Sequence, residues 1–225
     1  IPRRSRLNLK GMGFIRRFQI RQIIRELRTS VTVIFGMFIC LLVFMLGMNC
    51  YILCQNIKTE NSEDTKFGYM YTLKYPEKEV PENAEACYTE SLSKKYMGNT
   101  LDVNIIGVDD ENKYYPEISV KGKSSIAVSS SVAEKYNLSE GDKLILSDTA
   151  NDMDYAFTVE ETVDYSVGLS VFMDIESMRE LFLKEDDYYN MLLSEEELDI
   201  DMGRVYSVTT KADIEKSASV FVDQM

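Results

Sequence analysis

The stretch from Val31 to Cys54, VTVIFGMFICLLVFMLGMNCYILC, constrains this chain more than any other part of its sequence. No charged residue occurs between Arg28 and Lys58. A helix of this length rises about 36 Å, enough to cross a hydrocarbon core about 30 Å thick with some tilt. Inside a lipid bilayer each backbone amide needs an internal partner, and a single continuous segment supplies that only as a helix. The sequence therefore predicts a transmembrane helix over residues 31–54.

A buried core helix and a signal peptide are the alternatives for such a segment. Core helices rarely run this long without a charge, and a signal peptide has a shorter apolar region followed by small residues at a cleavage site. The stretch fits neither description, which favours the membrane-spanning helix.

The charges are divided unequally between the two sides of this stretch. Residues 1–30 contain nine basic residues and one acidic residue, a net charge of +8, whereas residues 31–225 contain 16 basic and 36 acidic residues, a net charge of −20. Basic residues next to a membrane span stay on the cytoplasmic side. We therefore expect residues 1–30 to be cytoplasmic and residues 55–225 to be extracytoplasmic.

Composition limits the chemistry of the external part. Three of the four cysteines lie in the apolar stretch, so Cys87 has no external partner for an intramolecular disulfide. The chain contains no histidine, which excludes Ser-His-Asp and Cys-His catalysis and histidine-ligated zinc. The sequence contains no nucleophile-elbow, phosphate-loop or Cys-x-x-Cys motif. We expect no enzyme activity, no metal and no cofactor.

The pattern after the span predicts an α+β domain over residues 55–225. A polar linker is expected at residues 55–66, and alternating or short apolar runs predict strands at residues 67–75, 84–89, 101–108, 126–129, 143–146, 155–163, 170–173 and 205–209. Ser131 and Glu134 have capping-box spacing for a short helix, and Gly141-Asp142 predicts a turn. Asp174 is expected to cap a second helix, and residues 212–225 a third. Residues 184–201, with eight acids, predict a solvated loop or irregular helix.

Residues 14–28 predict a basic amphipathic helix before the span, preceded by a loosely ordered lead over residues 1–13. Arg17, Arg21, Arg25 and Arg28 recur along one face of that helix, beside an isoleucine-rich face. Such a helix would lie at the inner membrane surface, with the four arginines facing anionic lipid. A plain cluster of flanking charge is the alternative. Because the cluster directly abuts a membrane span, we do not expect it to bind nucleic acid.

Two regions of the chain, roughly residues 14–54 and 125–183, resemble parts of a known family. RQIIRELRTSVTVIFGMFICLLVFML, residues 21–46, resembles the entry to a first transmembrane helix in FtsX/MacB-like ABC transporter permeases. SSSVAEKYNLSEGDKLIL, from residue 129, resembles a recurring segment of the extracytoplasmic domain in that family, and FTVEETVDYSVGLSVFMDIESMRELF resembles the strands and helix that follow it. The two resemblances occur in the order that the family has them.

The resemblance implies a permease subunit in the plasma membrane of a bacterium. It would have a MacB-like periplasmic core domain, and it would be coupled to a separate ATP-binding cassette ATPase and paired with a second permease copy. Export or extraction of a substrate would be driven by movement of the external domain. Such permeases have several spans, so the chain is expected to be a piece of a longer protein, as its first residue, Ile1, also suggests. The alternatives are a single-pass receptor or sensor with an external ligand-binding domain and, less favoured, a membrane-anchored enzyme.

Overall fold

The computed structural model describes residues 13–75 and 80–223. These residues form four helices: α1 (Phe14–Asp64), α2 (Ser130–Tyr136), α3 (Ile175–Leu181) and α4 (Lys211–Asp223). They also form nine strands: β1 (Tyr69–Leu73), β2 (Glu85–Tyr96), β3 (Asn99–Val108), β4 (Ser125–Ser129), β5 (Lys143–Asp148), β6 (Met153–Val163), β7 (Ser170–Asp174), β8 (Met191–Ser194) and β9 (Val205–Thr210). The mixed α+β fold expected from the sequence is confirmed. The expected loose lead, except Gly13, lies outside the described residues.

The chain divides into two compact units, Ile1–Ile52 and Leu53–Met225. In the first unit, the apolar side chains of α1 from residue 31 onward are exposed, with Leu46 at 72% and Ile34 at 66%. A row of large apolar side chains open to water along a helix would be strongly unfavourable in a soluble protein. Among the described residues one helical segment, Thr29–Asp64, is long and apolar enough to cross a membrane.

The expected polar linker after the span is wrong, because α1 continues as helix to Asp64. Asn, Thr and Ser are weak helix formers, but adding a residue to an existing helix avoids the cost of nucleation. The helix stops where the backbone N–H and the hydroxyl of Thr65 both donate to the Asn61 carbonyl, at 3.1 and 2.7 Å.

Six strands of the second unit close into a ring. Strands β3, β7, β4, β6, β5 and β2 are paired in that order, and β2 pairs with β3 along most of its length. The pairs β3–β7 and β4–β6 are parallel, whereas the remaining pairs are antiparallel. The β2–β5 seam is short: Ser93 faces Ser147 and its hydroxyl donates to the Ser147 carbonyl at 3.0 Å.

The first half of β2 extends beyond the ring into a four-stranded antiparallel sheet with the order β2-β8-β1-β9. All four residues of β8 are buried. The expectation of a solvated loop or irregular helix over residues 184–201 is therefore wrong at Met191–Ser194. The acidic residues on both sides of this short apolar run made the strand hard to recognise in the sequence. Strand β8 lies between β2 and β1, and a strand that is buried on both faces favours apolar side chains.

The helix caps agree with the sequence at α3 and differ at α2. Asp174 caps α3, accepting a hydrogen bond from the Ser177 backbone N–H at 3.0 Å. At α2 the cap is Ser129, whose side chain accepts from the Val132 N–H, rather than the expected Ser131. The expected turn at Gly141 is confirmed, with a φ of +89° that favours glycine.

The second unit has its main core inside the ring of strands. Alternate residues of the six strands, including Tyr88, Ile105 and Phe157, point inward and are fully or almost fully buried there with residues of α2 and α3. A second cluster, which includes Phe172 and Leu193, lies on the other side of the ring strands and of β8. The unit is therefore held by apolar burial on both faces of its sheet.

Candidate functional site

Three segments of the second unit meet where α1 ends, and we call this meeting place the helix junction. They are residues 53–64 of α1, the loop 164–169 between β6 and β7, and the β9–α4 turn with the first half of α4. These contacts hold the end of α1 against the rest of the second unit.

The strongest contacts of the helix junction join Asp64 to Ser166. The Ser166 backbone N–H donates to Asp64 Oδ2 at 2.6 Å, and the Ser166 hydroxyl lies 2.7 Å from the same oxygen. That hydroxyl also lies 3.0 Å from Asn61 Oδ1. Hydrogen bonds to a carboxylate are roughly twice as strong as bonds between neutral groups. The last turn of α1 is therefore attached to the β6–β7 loop by a charge-assisted pair.

A second set of bonds joins the end of α1 to α4. The Ser62 hydroxyl donates to Glu215 Oε1 at 2.6 Å, and Lys211 Nζ donates to the Thr65 carbonyl at 2.8 Å. The Lys211 backbone N–H donates to the Gly68 carbonyl at 3.0 Å. An ammonium group next to the carbonyl end of a helix is favourable, because that end carries a partial negative charge.

The start of α4 is fixed by a reciprocal cap. The Thr210 backbone N–H and hydroxyl donate to Asp213 Oδ2 at 3.0 and 2.7 Å, and the Asp213 N–H donates to the Thr210 hydroxyl at 3.2 Å. The hydrogen bonds from the Thr210 N–H and hydroxyl lower the pKa of the Asp213 carboxyl. This Thr-x-x-Asp pattern is readable in the sequence and would have placed the helix start.

Gly68 carries the chain from α1 into β1 with no room for a side chain. Its N–H donates to the Ser194 carbonyl at 2.9 Å. A Cβ at this position would collide with the backbone carbonyl oxygen of Glu195. Because that oxygen belongs to the main chain at the end of β8, it cannot move without disturbing the strand.

A groove of about 580 Å³ opens beside these contacts. Its lining residues come from all three segments and from the end of β9: Cys54, Ile57, Asn61, Val167, Gly168, Thr209, Asp213, Ile214 and Ser217. Val167 and Ile214 also pack against the second core cluster, so the floor of the groove is part of the folded unit.

The four arginines expected at the membrane surface all lie within α1. At 100° per residue, Arg17, Arg21, Arg25 and Arg28 fall within about 80° of one another around the helix axis. Their side chains lie outside the described part of the structure, so their role at the membrane surface stays a prediction.

The residues of the helix junction were missed by sequence reasoning. Asp64 and Ser166 are 102 positions apart, and neither lies in a motif. Asn61 and Ser62 fell in the segment expected to be a linker. The Thr210–Asp213 spacing was the one readable signal in this region.

No protein-family profile matches the sequence, and comparison with curated proteins finds no relative. Among solved structures, the chain is similar to the extracellular domain of the noncanonic ABC-type transporter YknZ from Gram-positive bacteria, at 13% identity and a TM-score of 0.37, over 59% of this chain and 84% of that one. It is also similar to the periplasmic region of MacB from Actinobacillus actinomycetemcomitans, at 9% identity and a TM-score of 0.38, over 72% of this chain and 98% of that one.

Proposed function

We propose that this chain is part of a permease subunit of an FtsX/MacB-like ABC transporter, in which a partner ATPase in the cytoplasm drives movement of an extracytoplasmic domain. The observation that carries the proposal is that one helix, α1, contains both the apolar stretch and the hydrogen-bonded end at the helix junction. The sequence resemblance of residues 21–46 and of the segment from residue 129 supports the same assignment.

In this mechanism α1 transmits displacement along its axis. A helix is stiff along its axis because each turn is hydrogen-bonded to the next. Movement at the cytoplasmic end of α1 would reach Asp64 and pass to the β6–β7 loop through Ser166 and to α4 through Ser62. The result is rigid-body switching of the external domain rather than chemistry on a bound substrate.

The four-arginine face gives this mechanism its cytoplasmic contact. We propose that Arg17, Arg21, Arg25 and Arg28 hold the first turns of α1 at the anionic inner surface, each contributing about 1 kcal/mol of attraction. The helix would then lie between the ATPase and the span. A second permease copy would complete the transporter.

Topology is the first test. A reporter that works only in the cytoplasm should be active when fused before Phe14 and silent when fused after Met225 in this chain, because the nine basic residues before the span favour the cytoplasmic side. The reverse pattern would refute the assignment of sides. A gene that encodes no further span after this segment would instead favour a single-pass receptor or sensor.

Coupling is the second test. In the full-length permease with its ATPase, replacing all four arginines by Gln should reduce transport more than ATP hydrolysis, whereas replacing all four by Lys keeps the charge and should preserve transport. Normal orientation and transport in the Gln variant would show that the cluster is ordinary flanking charge.

A further inference from the structure

The groove at the helix junction has apolar walls and a polar rim on which the Asp213 and Ser217 side chains are paired within the protein. Ile57, Val167 and Ile214 supply the apolar surface, and Ile57 is 43% exposed. The side chain of Ile57 and the apolar floor of the groove are thus open to water. A ligand bound in the groove would cover this apolar surface, which is favourable.

Two polar side chains at the rim are engaged within the protein. The Asp213 carboxylate accepts from Thr210, and the Ser217 hydroxyl donates to the Asp213 carbonyl at 2.8 Å. A ligand recognised through a polar headgroup needs donors or acceptors aimed at it. The apolar side chains of Ile57, Val167 and Ile214 instead favour a ligand recognised through an apolar chain.

The position of the groove along α1 identifies where such a chain would come from. Cys54, which lines the groove, is also the last residue of the apolar stretch that begins at Val31. Ile57 and Asn61 follow it by about 4.5 and 10.5 Å of helix rise. The headgroup region extends roughly 5–8 Å beyond the hydrocarbon on each side of a bilayer. With the span placed as proposed, the groove starts at the edge of the hydrocarbon, Ile57 lies among the headgroups, and Asn61 lies roughly 3–5 Å beyond them.

We propose that this groove binds an acyl chain of a phospholipid from the outer leaflet. Its volume of about 580 Å³ lies within the range of small-molecule pockets in proteins. The chain would enter beside Cys54 and lie against Ile57, Val167 and Ile214, while its headgroup stays in the interface. The proposal rests on the proposed function only for the membrane location of α1, and it needs neither the ATPase nor its activity.

Fluorescence quenching in vesicles tests the site, because the chain contains no tryptophan. In the full chain, Ser217→Trp places a single reporter at the rim of the groove, and Tyr206→Trp places a control at a side chain that is 75% exposed and is not part of the groove lining. The probe is phosphatidylcholine with bromine near the terminus of one acyl chain. We expect this lipid to quench the groove reporter several-fold more than the control reporter.

Matched variants separate binding in the groove from mere closeness to the membrane. Adding Ile57→Gln to the reporter should abolish the excess quenching, because a polar amide replaces the apolar wall, whereas Ile57→Leu should keep it. Phosphatidylglycerol with the same brominated chain should quench equally, since the headgroup is not recognised. Circular dichroism of each variant checks that the fold is retained.

Several results would overturn the proposal. Quenching only by bromine near the headgroup, unchanged by Ile57→Gln, would mean that the rim merely lies at the interface. Quenching only by the anionic lipid would mean headgroup recognition. Absence of quenching at low protein-to-lipid ratios, where copies of the chain are far apart, would mean that the chain itself fills the groove. A reversed topology with intact quenching would refute the proposed sides and move the lipid site to the inner leaflet, but it would leave acyl-chain binding standing, so the two failures are distinguishable.

Discussion

Removing the Asp64 carboxylate should detach the end of α1 from the β6–β7 loop. Asp64 accepts two hydrogen bonds from Ser166, at 2.6 and 2.7 Å, and both residues are half-buried. A hydrogen bond to a charged group contributes about 1.5–3 kcal/mol, and partial exposure lets water replace some of that. We expect Asp64→Ala to lower the free energy of unfolding of the second unit by about 2–3 kcal/mol, since half-buried donors lose their acceptor.

Three further variants make the prediction quantitative. Ser166→Ala removes only the hydroxyl and should lower the free energy of unfolding by about 1 kcal/mol. Ser217→Ala removes an exposed hydroxyl that bonds within its own helix, and should cost less than about 0.5 kcal/mol. In the double variant Asp64→Ala/Ser166→Ala, the loss of unfolding free energy should be about 1 kcal/mol smaller than the sum of the two single losses, because the residues share one interaction.

Urea unfolding in detergent measures these differences. Thirteen of the 14 tyrosines follow Cys54, so tyrosine fluorescence reports on the second unit. Equal slopes against urea would show that the variants unfold in the same transition. A loss at Asp64→Ala no larger than the loss at Ser217→Ala, or strict additivity with Ser166→Ala, would refute the reasoning that this pair anchors the helix.

Three other experiments test what stabilises the second unit. Gly68→Ala should lower the free energy of unfolding by about 1–3 kcal/mol, because the added Cβ would overpack against a backbone oxygen. The control Gly203→Ala should be neutral, because its added Cβ would lie 3.2 Å from a side-chain oxygen of Asp201. Equal denaturation midpoints for the two variants would contradict this. Burial raises the pKa of the Asp174 carboxyl, but hydrogen bonds from Lys121 and Ser177 outweigh burial and lower the pKa overall. The stabilisation that the ionised carboxylate contributes is therefore fully present above the usual aspartate pKa of about 3.9. It is lost as the pH falls through the pKa of the folded state. The stability difference between wild type and Asp174→Asn should therefore shrink below about pH 4, and a constant difference would show that the ionised Asp174 carboxylate does not stabilise the fold through Lys121 and Ser177. Burial raises the pKa of the Cys87 thiol, so a maleimide should not label it in the folded unit and reductant should leave the melting temperature unchanged; a marked drop with reductant would reveal a disulfide.

Elements with a strong local pattern were predictable from the sequence. The apolar stretch, strands β3, β4, β6 and β7, and the Asp174 cap all follow from hydrophobic spacing or from a side chain that bonds its own backbone neighbours. At α2 any of three consecutive serines could cap the helix. The capping-box spacing predicted Ser131, whereas the cap in the structure is Ser129. Such choices depend on backbone angles that spacing does not determine.

Elements that depend on distant partners were not predictable. Residues 55–64 are polar and were expected to form a linker, but they extend an existing helix and lie against the β6–β7 loop and α4. Strand β8 has only four residues between acidic runs, and it becomes a strand because β1 and β2 pair with its two edges. In both cases the contacts that stabilise the element come from residues far away in the chain.

The sequence by itself determined that one segment is long and apolar enough to span a membrane, that the charge is divided unequally around it, and that an α+β unit follows. These properties are sums over neighbouring residues, so the order of amino acids is sufficient to read them. The tertiary structure alone decided the ring of six strands, the Asp64–Ser166 attachment and the apolar groove. Each of these joins residues that are far apart in sequence, and packing, rather than local propensity, selects which partners meet.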